Sequence, residues 1–590
     1  MAILEDCEVT DVIICGCGPT GAMLAGYLGM LSVKNVVLER EADITTDPRG
    51  IALDEEGIRY FQGLGLYEHM YTEIGTCMDQ FQFVSGTKTD LGRDPFLVMD
   101  YSTKVVLDML DSYVTSNLPS KNIYDKRVTE DKDWVYCIYK DRQGETRKIK
   151  AKFLVGADGK TGFTRKNYLE PRGVAMERAH NSTYEETWVA LNWRITLPTE
   201  KSHPDFPLWK LNYTPQDVYN AFFPVNFRFL CNPHRPAVCG RFGLMSERLW
   251  RFEFVVLPGE DGIEMSSKEM IDKVVFPYLR QKGARYGSCN KWAKDRVILC
   301  GDAAHVFPPF GGQGIASGFR DAISLAWRLS VACSYQPEEH ARIEPLLRGW
   351  YEERKQQLER SLASTIENGE FVTARNPLKI IWRDWYFWFL QLFPPVRHQL
   401  HLGNRREGMT KYEHEGDMPF MPELGGGKCF PQVYCIDLNG SSANVCFTDD
   451  VIWNNQKKCL FQLLVLPKTL QSMSSLTKSV DTLLSRPGSP LALKDTTIIL
   501  DDVSFITPKG PLNLPPYRQF YRVASGEEFA VSKLCYGRPK PKGYDPYRLG
   551  KEVNHCPLVI LRPDRFVFAA CKDIKDLESA LKQLREFLHS

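Results

Sequence analysis

The 590-residue chain is 43% hydrophobic and 25% charged, the balance of an ordinary globular protein with ample core, and its length suggests three to four domains of about 150 residues. A net charge of +1 offers no general attraction to nucleic acid or an acidic membrane, so neither is expected as a partner. Seventeen scattered cysteines without C-x-x-C spacing give no zinc or dithiol site and suit reduced thiols in the cytoplasm; Met1 to Thr10 has acids but no apolar core, unlike a secretory signal.

Taken in order, Asp11-Val12-Ile13-Ile14-Cys15 reads as a buried strand. It runs into Gly16-Cys17-Gly18-Pro19-Thr20-Gly21 and then a helix with Leu24, Ala25 and Leu28 on one face. Val36-Val37-Leu38 is the next strand and ends at Glu39, with Arg40 beside it. This is the dinucleotide fingerprint in its required setting: a tight glycine turn, a helix N-terminus for the pyrophosphate, and an acid for the adenosine ribose. Gly16, Gly18, Pro19, Thr20, Gly21, Glu39 and Arg40 are the candidate contacts, and Cys17 is a small filler. At this point either NAD(P) or FAD fits.

Val135 to Tyr139 and Arg147 to Lys150 flank a Gln143-Gly144 turn, a hairpin signal. Phe153-Leu154-Val155 then enters Gly156-Ala157-Asp158-Gly159, with Thr164-Arg165 following; by itself an Asp-Gly at a strand end is a turn. From about 180 to 290 apolar and polar positions alternate, as in Trp188 to Trp193 and Arg251 to Leu257, so a sheet domain is expected there. Phe222, Phe223, Tyr213 and His234 are its candidate pocket residues.

The next stretch organises the chain. Arg296 to Cys300 is a short strand; Gly301-Asp302-Ala303-Ala304-His305-Val306-Phe307-Pro308-Pro309-Phe310-Gly311-Gly312-Gln313-Gly314 follows, and then Phe319, Ala322, Ile323, Ala326 and Leu329 recur at helical spacing. A glycine-rich loop before a helix lets backbone N–H groups approach an anion, and Asp302 is placed to accept bonds from ribityl or ribose hydroxyls. A second cofactor-facing motif so far from the first favours FAD, a long molecule needing contacts at both ends, over NAD(P). Helices continue to about 400. The apolar run Ile380 to Phe393 is short of the ~20 residues that span a bilayer and contains Arg383 and Asp384, so core packing or a subunit interface is expected of it. Glu423 to Lys428, with three glycines, reads as a linker, and Phe461 to Leu466 and Leu558 to Leu561 as strands.

The run at Gly301 to Gly314, with the fingerprint and the Asp158-Gly159 turn in this order, resembles the single-component FAD-dependent aromatic hydroxylases, the group that includes p-hydroxybenzoate and phenol hydroxylases. Val559 to Val567 resembles the C-terminal thioredoxin-like domain of the phenol hydroxylase subgroup. The resemblance implies an α/β fold: an FAD-binding Rossmann-like domain in two parts (1–180 and 291–425), interleaved with a β-sheet substrate domain (181–290), and a thioredoxin-like domain (426–590). It implies that Asp302 holds the ribityl chain, that Pro308 lies by the isoalloxazine, and that Gly311, Gly312, Gln313 and Gly314 face the pyrimidine edge. Arg49 would contact the diphosphate, and Asp158 and Gly159, with Arg165 less firmly, would support FAD and the nicotinamide. The Arg and Gln that the family shows near a helix start have no Gln counterpart around Tyr101 to Leu107, where Lys104 is the substitute.

The implied reaction uses NAD(P)H to reduce FAD; O2 adds at C(4a), and the hydroperoxide hydroxylates an electron-rich, phenolic ring. The resemblance also implies a homodimer. Epoxidation, Baeyer–Villiger insertion and a flavin-binding protein without turnover remain alternatives. The Trp-x-Trp-x-Ile-Pro signature of halogenases and the C-x-x-C of disulfide reductases are missing. No metal site is expected, and no catalytic base is assigned.

Overall fold

The computed structural model describes residues 7–41, 52–70, 73, 75–85, 94–107, 120–122, 124–177, 187–206, 209–210, 212–223, 225–261, 264–266, 270, 287–289, 291–307, 313–373, 376–394, 396, 400, 411–438, 444–454, 457, 459–505, 520–536 and 544–589. Two compact units divide the chain: Met1–Ala322 with Leu358–Gly408, and Ile323–Gln357 with Met409–Ser590.

The first unit contains a sheet in which Val297–Leu299, Phe153–Gly156, Val12–Cys15, Asn35–Glu39 and Ser120–Asn122 lie side by side and parallel. Val297–Leu299, Phe153–Gly156 and Val12–Cys15 carry no polar side chain and are buried throughout, the pattern of a sheet covered on both faces. Parallel strands all end on the same side, so the turns after Cys15, Gly156 and Leu299 emerge together. The helix Pro19–Met30 follows the first turn, with Pro19 at its opening position, where a missing N–H costs nothing. The expected hairpin forms as Val135–Lys140 against Thr146–Ala151.

The sheet expected within 181–290 recruits earlier chain. Its order is Thr187–Arg194, Leu249–Val256, Ala237–Phe242, Phe227–Cys231, Gly75–Ser85, Leu97–Leu107 and Ala52–Leu53. Alternation divides the side chains between two cores. Leu249 and Val255 join Phe81, Phe83, Trp188, Phe227 and Phe229 on one face; Trp250, Phe252, Phe254 and Val256 join Val189, Leu230 and Cys239 on the other. Phe83 stacks on Phe229 with centroids 4.7 Å apart. Lys104 pairs with Met78 in this sheet, its side chain being outside the described residues.

The apolar run at 380 to 393, expected in core packing or a subunit interface, packs into the core on one side only. The helix Pro377–Leu390, capped by Asn376, buries Ile380 and Arg383 and packs Phe387 against the sheet's core, but leaves Trp382, Trp385, Trp388 and Phe389 exposed.

The second unit is built on a sheet ordered Val445–Phe447, Tyr434–Asp437, Phe520–Val523, Thr496–Leu500, Gln462–Val465, Leu558–Leu561 and Val567–Cys571. Gln462–Val465, Thr496–Leu500 and Phe520–Val523 are parallel, and the last two strands are antiparallel. A buried ion cluster ties this unit to its helical part. Arg562 donates to Glu353 at 2.6 and 2.7 Å, Arg328 reaches Glu353 at 2.9 Å, and Trp327 Nε1 donates to Asp564 at 3.0 Å. Burial alone would lower the Arg562 pKa, but Asp564 and Glu353 hold it above the ordinary value. The glycines at 425–427, expected as a linker, are packed instead: Gly427 N–H donates to Val567 O at 2.9 Å, and a Cβ on Gly426 would lie 2.5 Å from Phe568 O. Backbone against backbone needs glycine as much as a flexible joint does.

Candidate active site

The three turns at the ends of the parallel strands touch one another. A Cβ on Gly16, whose φ is +102°, would lie 2.4 Å from the Ala157 carbonyl oxygen; one on Gly21 would lie 2.1 Å from Gly16 O and 3.3 Å from Ala157 Cβ. A Cβ on Gly301 would lie 2.5 Å from Thr20 Oγ1, and one on Gly318 2.2 Å from the same atom. The first motif is therefore locked to the second through Gly16 and Gly21, and to the third through Thr20.

Gly18 is the exception. Nothing lies within 4 Å of a Cβ placed there, so the loop is open on this side. Gly18 caps the helix Pro19–Met30 without a side chain, and no acid stands in the first turn. The helix Gln313–Ser334 likewise has no acid in its first turn, and Gly314 at its start lies against Phe307. Two helix N-termini without a first-turn acid therefore belong to this unit, each favouring negative charge.

Two carboxylates mark the ends of the site. Glu39, at the end of Asn35–Glu39, reaches the glycine loop: its Oε2 accepts from Cys17 N–H at 2.6 Å, and its Oε1 from Arg40 N–H at 2.6 Å. Asp302 is the only exposed residue between Cys300 and Phe307, all the others being buried. A turn with a single side chain in water and its backbone immobilised suits a ligand-facing acid.

The close approaches at Gly16, Gly21 and Gly301, the open side at Gly18, two helix starts without acids, and the carboxylates Glu39 and Asp302 fit an adenine dinucleotide extended across the ends of the strands. FAD would be held by Gly16 to Gly21 and Glu39 at its adenosine diphosphate end, and by Asp302 and the start of Gln313–Ser334 at its flavin end.

Other expected residues divide. Asp158 turns inward: its Oδ2 accepts from the N–H and hydroxyl of Thr164, both at 2.9 Å, fixing the turn itself. Gly159, at φ +76°, supplies the left-handed position beside it. Arg165 is buried and donates to Glu170 and to Lys160 O, away from solvent. Arg40 is exposed and bonded to Glu41 at 2.8 Å. Arg49, Pro308, Gly311 and Gly312 lie outside the described residues, as does the Gln313 side chain.

Three buried side chains that sequence reading passed over brace the third turn. Asp321 Oδ2 accepts from Gly301 N–H at 2.9 Å and meets His305 Nε2 at 2.7 Å. His305 lies between Trp292 and Phe307, with ring centroids 4.7 and 5.6 Å away. Arg320, one residue earlier, binds Asp54 at 2.5 Å and also Glu56, at the cap of the helix Glu55–Gly63. The signal was present as charged residues inside an otherwise apolar helix pattern, but their partners lie far away in sequence.

The proposed pocket residues do not gather. Tyr213 and Phe222 are exposed, as is His234, whose backbone N–H donates to Asn232 Oδ1 at 2.9 Å, and Phe223 packs edge-on against Trp250 at 4.9 Å. More informative is a buried pair on the aromatic face of the sheet. Arg251 and Glu253 share the side of Leu249–Val256 that carries Leu249 and Val255, and are 3.7 Å apart. Burial raises the Glu253 pKa, only partly offset by Arg251; burial lowers that of Arg251. Charged positions in an otherwise aromatic strand were the visible sign.

Comparison with known proteins agrees. Residues 9–356 match the family model described as FAD binding domain. The 3-(3-hydroxy-phenyl)propionate/3-hydroxycinnamic acid hydroxylase of Shigella sonnei (strain Ss046) is 25% identical over 451 residues, 70% of this chain and 74% of that protein. The probable NADH-specific resorcinol 4-hydroxylase of Rhodococcus jostii (strain RHA1) is 26% identical over 613 residues, covering 98% of this chain and 95% of its own. Among solved structures, the flavin-dependent monooxygenase PieE, in complex with FAD and substrate, aligns over 99% of this chain and 100% of its own with TM-score 0.64 at 15% identity. The p-nitrophenol 4-monooxygenase PnpA from Pseudomonas putida DLL-E4 aligns over 68% of this chain and 98% of its own, with TM-score 0.53 at 19% identity. At these identities the structural likenesses establish the fold.

Proposed function

Because this chain belongs to the FAD binding domain family, we propose that it is an FAD-dependent monooxygenase that uses NAD(P)H and O2 to hydroxylate a phenolic or other electron-rich aromatic compound. The observation that carries this reading is the contact of three distant turns, around Gly16, Asp158 and Gly301, at one edge of a parallel sheet. The hydroxylases at 25% and 26% identity support it from outside the chain.

When bound, the flavin supplies the activation of O2 and the transfer of one oxygen atom. The chain's own residues bind, shape and move protons. Gly16, Gly18 and Gly21, ahead of Pro19 and Thr20, admit the diphosphate, and Glu39 and Asp302 accept bonds from the sugar and ribityl hydroxyls. Arg49, Pro308 and Gly311 to Gly314 complete the proposed contacts, and Asp158 and Gly159 serve by holding the second turn. Glu253 is the proposed proton acceptor for the phenol: a carboxylate whose pKa is raised by burial sits nearer neutrality, where a base is most effective. Arg251 beside it balances the charge.

The C-terminal residues 426–590 are proposed to be thioredoxin-like. Support comes from the strand–helix–strand unit Gln462–Val465, Leu470–Leu484, Thr496–Leu500, followed by the antiparallel pair Leu558–Leu561 and Val567–Cys571 and the helix Ile574–His589. Without a C-x-x-C its work is structural. A cytoplasmic setting is proposed from the reading of the scattered cysteines as reduced thiols. The homodimer rests on family resemblance.

The test is chemical. Purified protein is expected to carry or take up FAD, and a phenolic substrate to accelerate NAD(P)H oxidation with label from O2 in the product. A colourless protein that takes up no FAD overturns the reading.

A further inference from the structure

Two cysteines of the second unit face each other across neighbouring strands. Cys435 lies in Tyr434–Asp437 and Cys446 in Val445–Phe447, and the antiparallel register pairs them directly. Their sulfur atoms are 3.5 Å apart. Each thiol also leans toward the opposite backbone: Cys435 S–H donates to Cys446 O at 3.7 Å, and Cys446 S–H to Cys435 O at 3.5 Å. Directly opposed residues of an antiparallel pair have Cα atoms about 4.5–5.5 Å apart, inside the span of about 4.4–6.8 Å that a disulfide bridges. Closing the gap to a bond of about 2.05 Å takes rotation of two side chains, with the strands left in place.

The two sulfurs differ in access. Cys435 is fully buried in the core of the unit, whereas Cys446 is half-buried at its margin. Val445–Phe447 is the terminal strand of its sheet. An oxidant arriving from water therefore meets Cys446 first, and Cys435 stands behind it as the resolving thiol. Burial, then the Cys446 thiol and the charges of Asp450 and Asp437, holds the Cys435 pKa well above its ordinary value. Catalytic dithiols occupy electropositive settings that stabilise a thiolate. Here the setting is apolar and acidic, which suits a slow, stoichiometric response rather than turnover.

We propose that Cys435 and Cys446 form a reversible redox site that closes to a cross-strand disulfide under hydrogen peroxide and reopens with a dithiol reductant. The Cys446 sulfur attacks one peroxide oxygen as the O–O bond breaks, giving a sulfenic acid and one water. The Cys435 sulfur then attacks the sulfenic sulfur; the S–S bond forms, the S–O bond breaks, and a second water leaves. Two thiols and one peroxide thus give one disulfide and two waters. Two electrons pass from sulfur to oxygen, and both thiol protons end in water. A dithiol reverses the change by exchange and is itself oxidised to a disulfide.

The bond ties the terminal strand to its neighbour just ahead of the helix Thr448–Ile452, whose Asp449 accepts from Arg565 Nε at 3.2 Å. Oxidation therefore stiffens the edge that carries this buried ion pair. A resting state of reduced thiols agrees with the proposal, since disulfides in reducing compartments are transient. The missing C-x-x-C concealed the pair, because the two residues meet through strand register and not through sequence spacing. The inference is independent of the hydroxylase reading.

The test treats the full-length folded protein with hydrogen peroxide, blocks remaining thiols with N-ethylmaleimide, and digests it without reduction. Cleavage before Asp437 separates the two cysteines, so tandem mass spectrometry is expected to find their peptides joined through Cys435 and Cys446. Dithiothreitol should return both to alkylatable thiols. Amide hydrogen exchange in Val445–Phe447 should slow at least about tenfold in the oxidised protein. Cys446→Ser should abolish the link and leave Cys435 reduced, with circular dichroism unchanged. Cys446 found as sulfinic acid beside a still-reduced Cys435 overturns the proposal, as does a link from Cys446 to Cys429. Both thiols remaining alkylatable at peroxide levels that oxidise Cys446→Ser elsewhere overturns it too, and a bond that leaves exchange in the strand unchanged removes the stiffening.

Discussion

The parallel sheet ending at Cys15, Gly156 and Leu299 and the aromatic sheet built around Leu249–Val256 place different demands on their residues. In the first, turns from three distant segments come within van der Waals contact, so at Gly16, Gly21 and Gly301 even a methyl group collides. In the second, Phe81, Phe83, Phe227 and Phe229 fill one face through rings that can shift against one another. A site made from backbone tolerates no side chain, whereas one made from side chains tolerates many. Substitutions sharpen or break this contrast.

The largest effect is expected at Gly16. Alanine there meets Ala157 O at 2.4 Å in a left-handed conformation and should cost more than about 3 kcal/mol, with flavin content falling to background. Next comes Asp321→Ala, which strands Gly301 N–H and His305 in a buried setting. A loss of about 3 kcal/mol in denaturant unfolding and weaker FAD retention are expected. Asp321→Asn should recover most of it, because an amide oxygen still accepts from Gly301.

Effects in the aromatic sheet should be smaller and leave the cofactor in place. Phe229→Leu is expected to cost about 1–2 kcal/mol with unchanged flavin per folded molecule. A loss of flavin equal to that of Gly16→Ala would erase the distinction between the sheets.

The smallest stability effect concerns pH. The folded pKa of Glu253 is raised, so its favourable contribution is complete below the unfolded value of about 4.3 and disappears as pH climbs through the folded value. Glu253→Gln should therefore remove that part of the pH dependence in denaturant unfolding. In activity the same variant should lose the acidic limb of the kcat/KM profile; an unchanged profile assigns the proton transfer elsewhere.

How much was legible follows the same division. Glycines that cannot become anything else announce themselves, so the fingerprint, the Asp158-Gly159 turn and the start of the Gly301 run were readable as turns that end neighbouring parallel strands. Asp321, His305 and Arg320 were not, because their value lies in partners that only folding supplies: Gly301 N–H for one, Asp54 and Glu56 for another. The aromatic sheet was visible as alternation, but alternation does not say which face meets substrate. Tyr213 and Phe222 were therefore chosen and proved exposed, while Arg251 and Glu253 were overlooked. The glycines at 425–427 misled in the opposite sense, since close packing and flexibility leave the same residue behind.

Hydrogen–deuterium exchange of the flavin-free protein before and after addition of FAD tests the central claim most directly. Protection should rise together in three separated segments, Gly16 to Gly21, the turn at Asp158, and Gly301 to Ala304, with Thr187–Arg194 unaffected. Protection confined to one of the three, or no uptake of FAD, would contradict it.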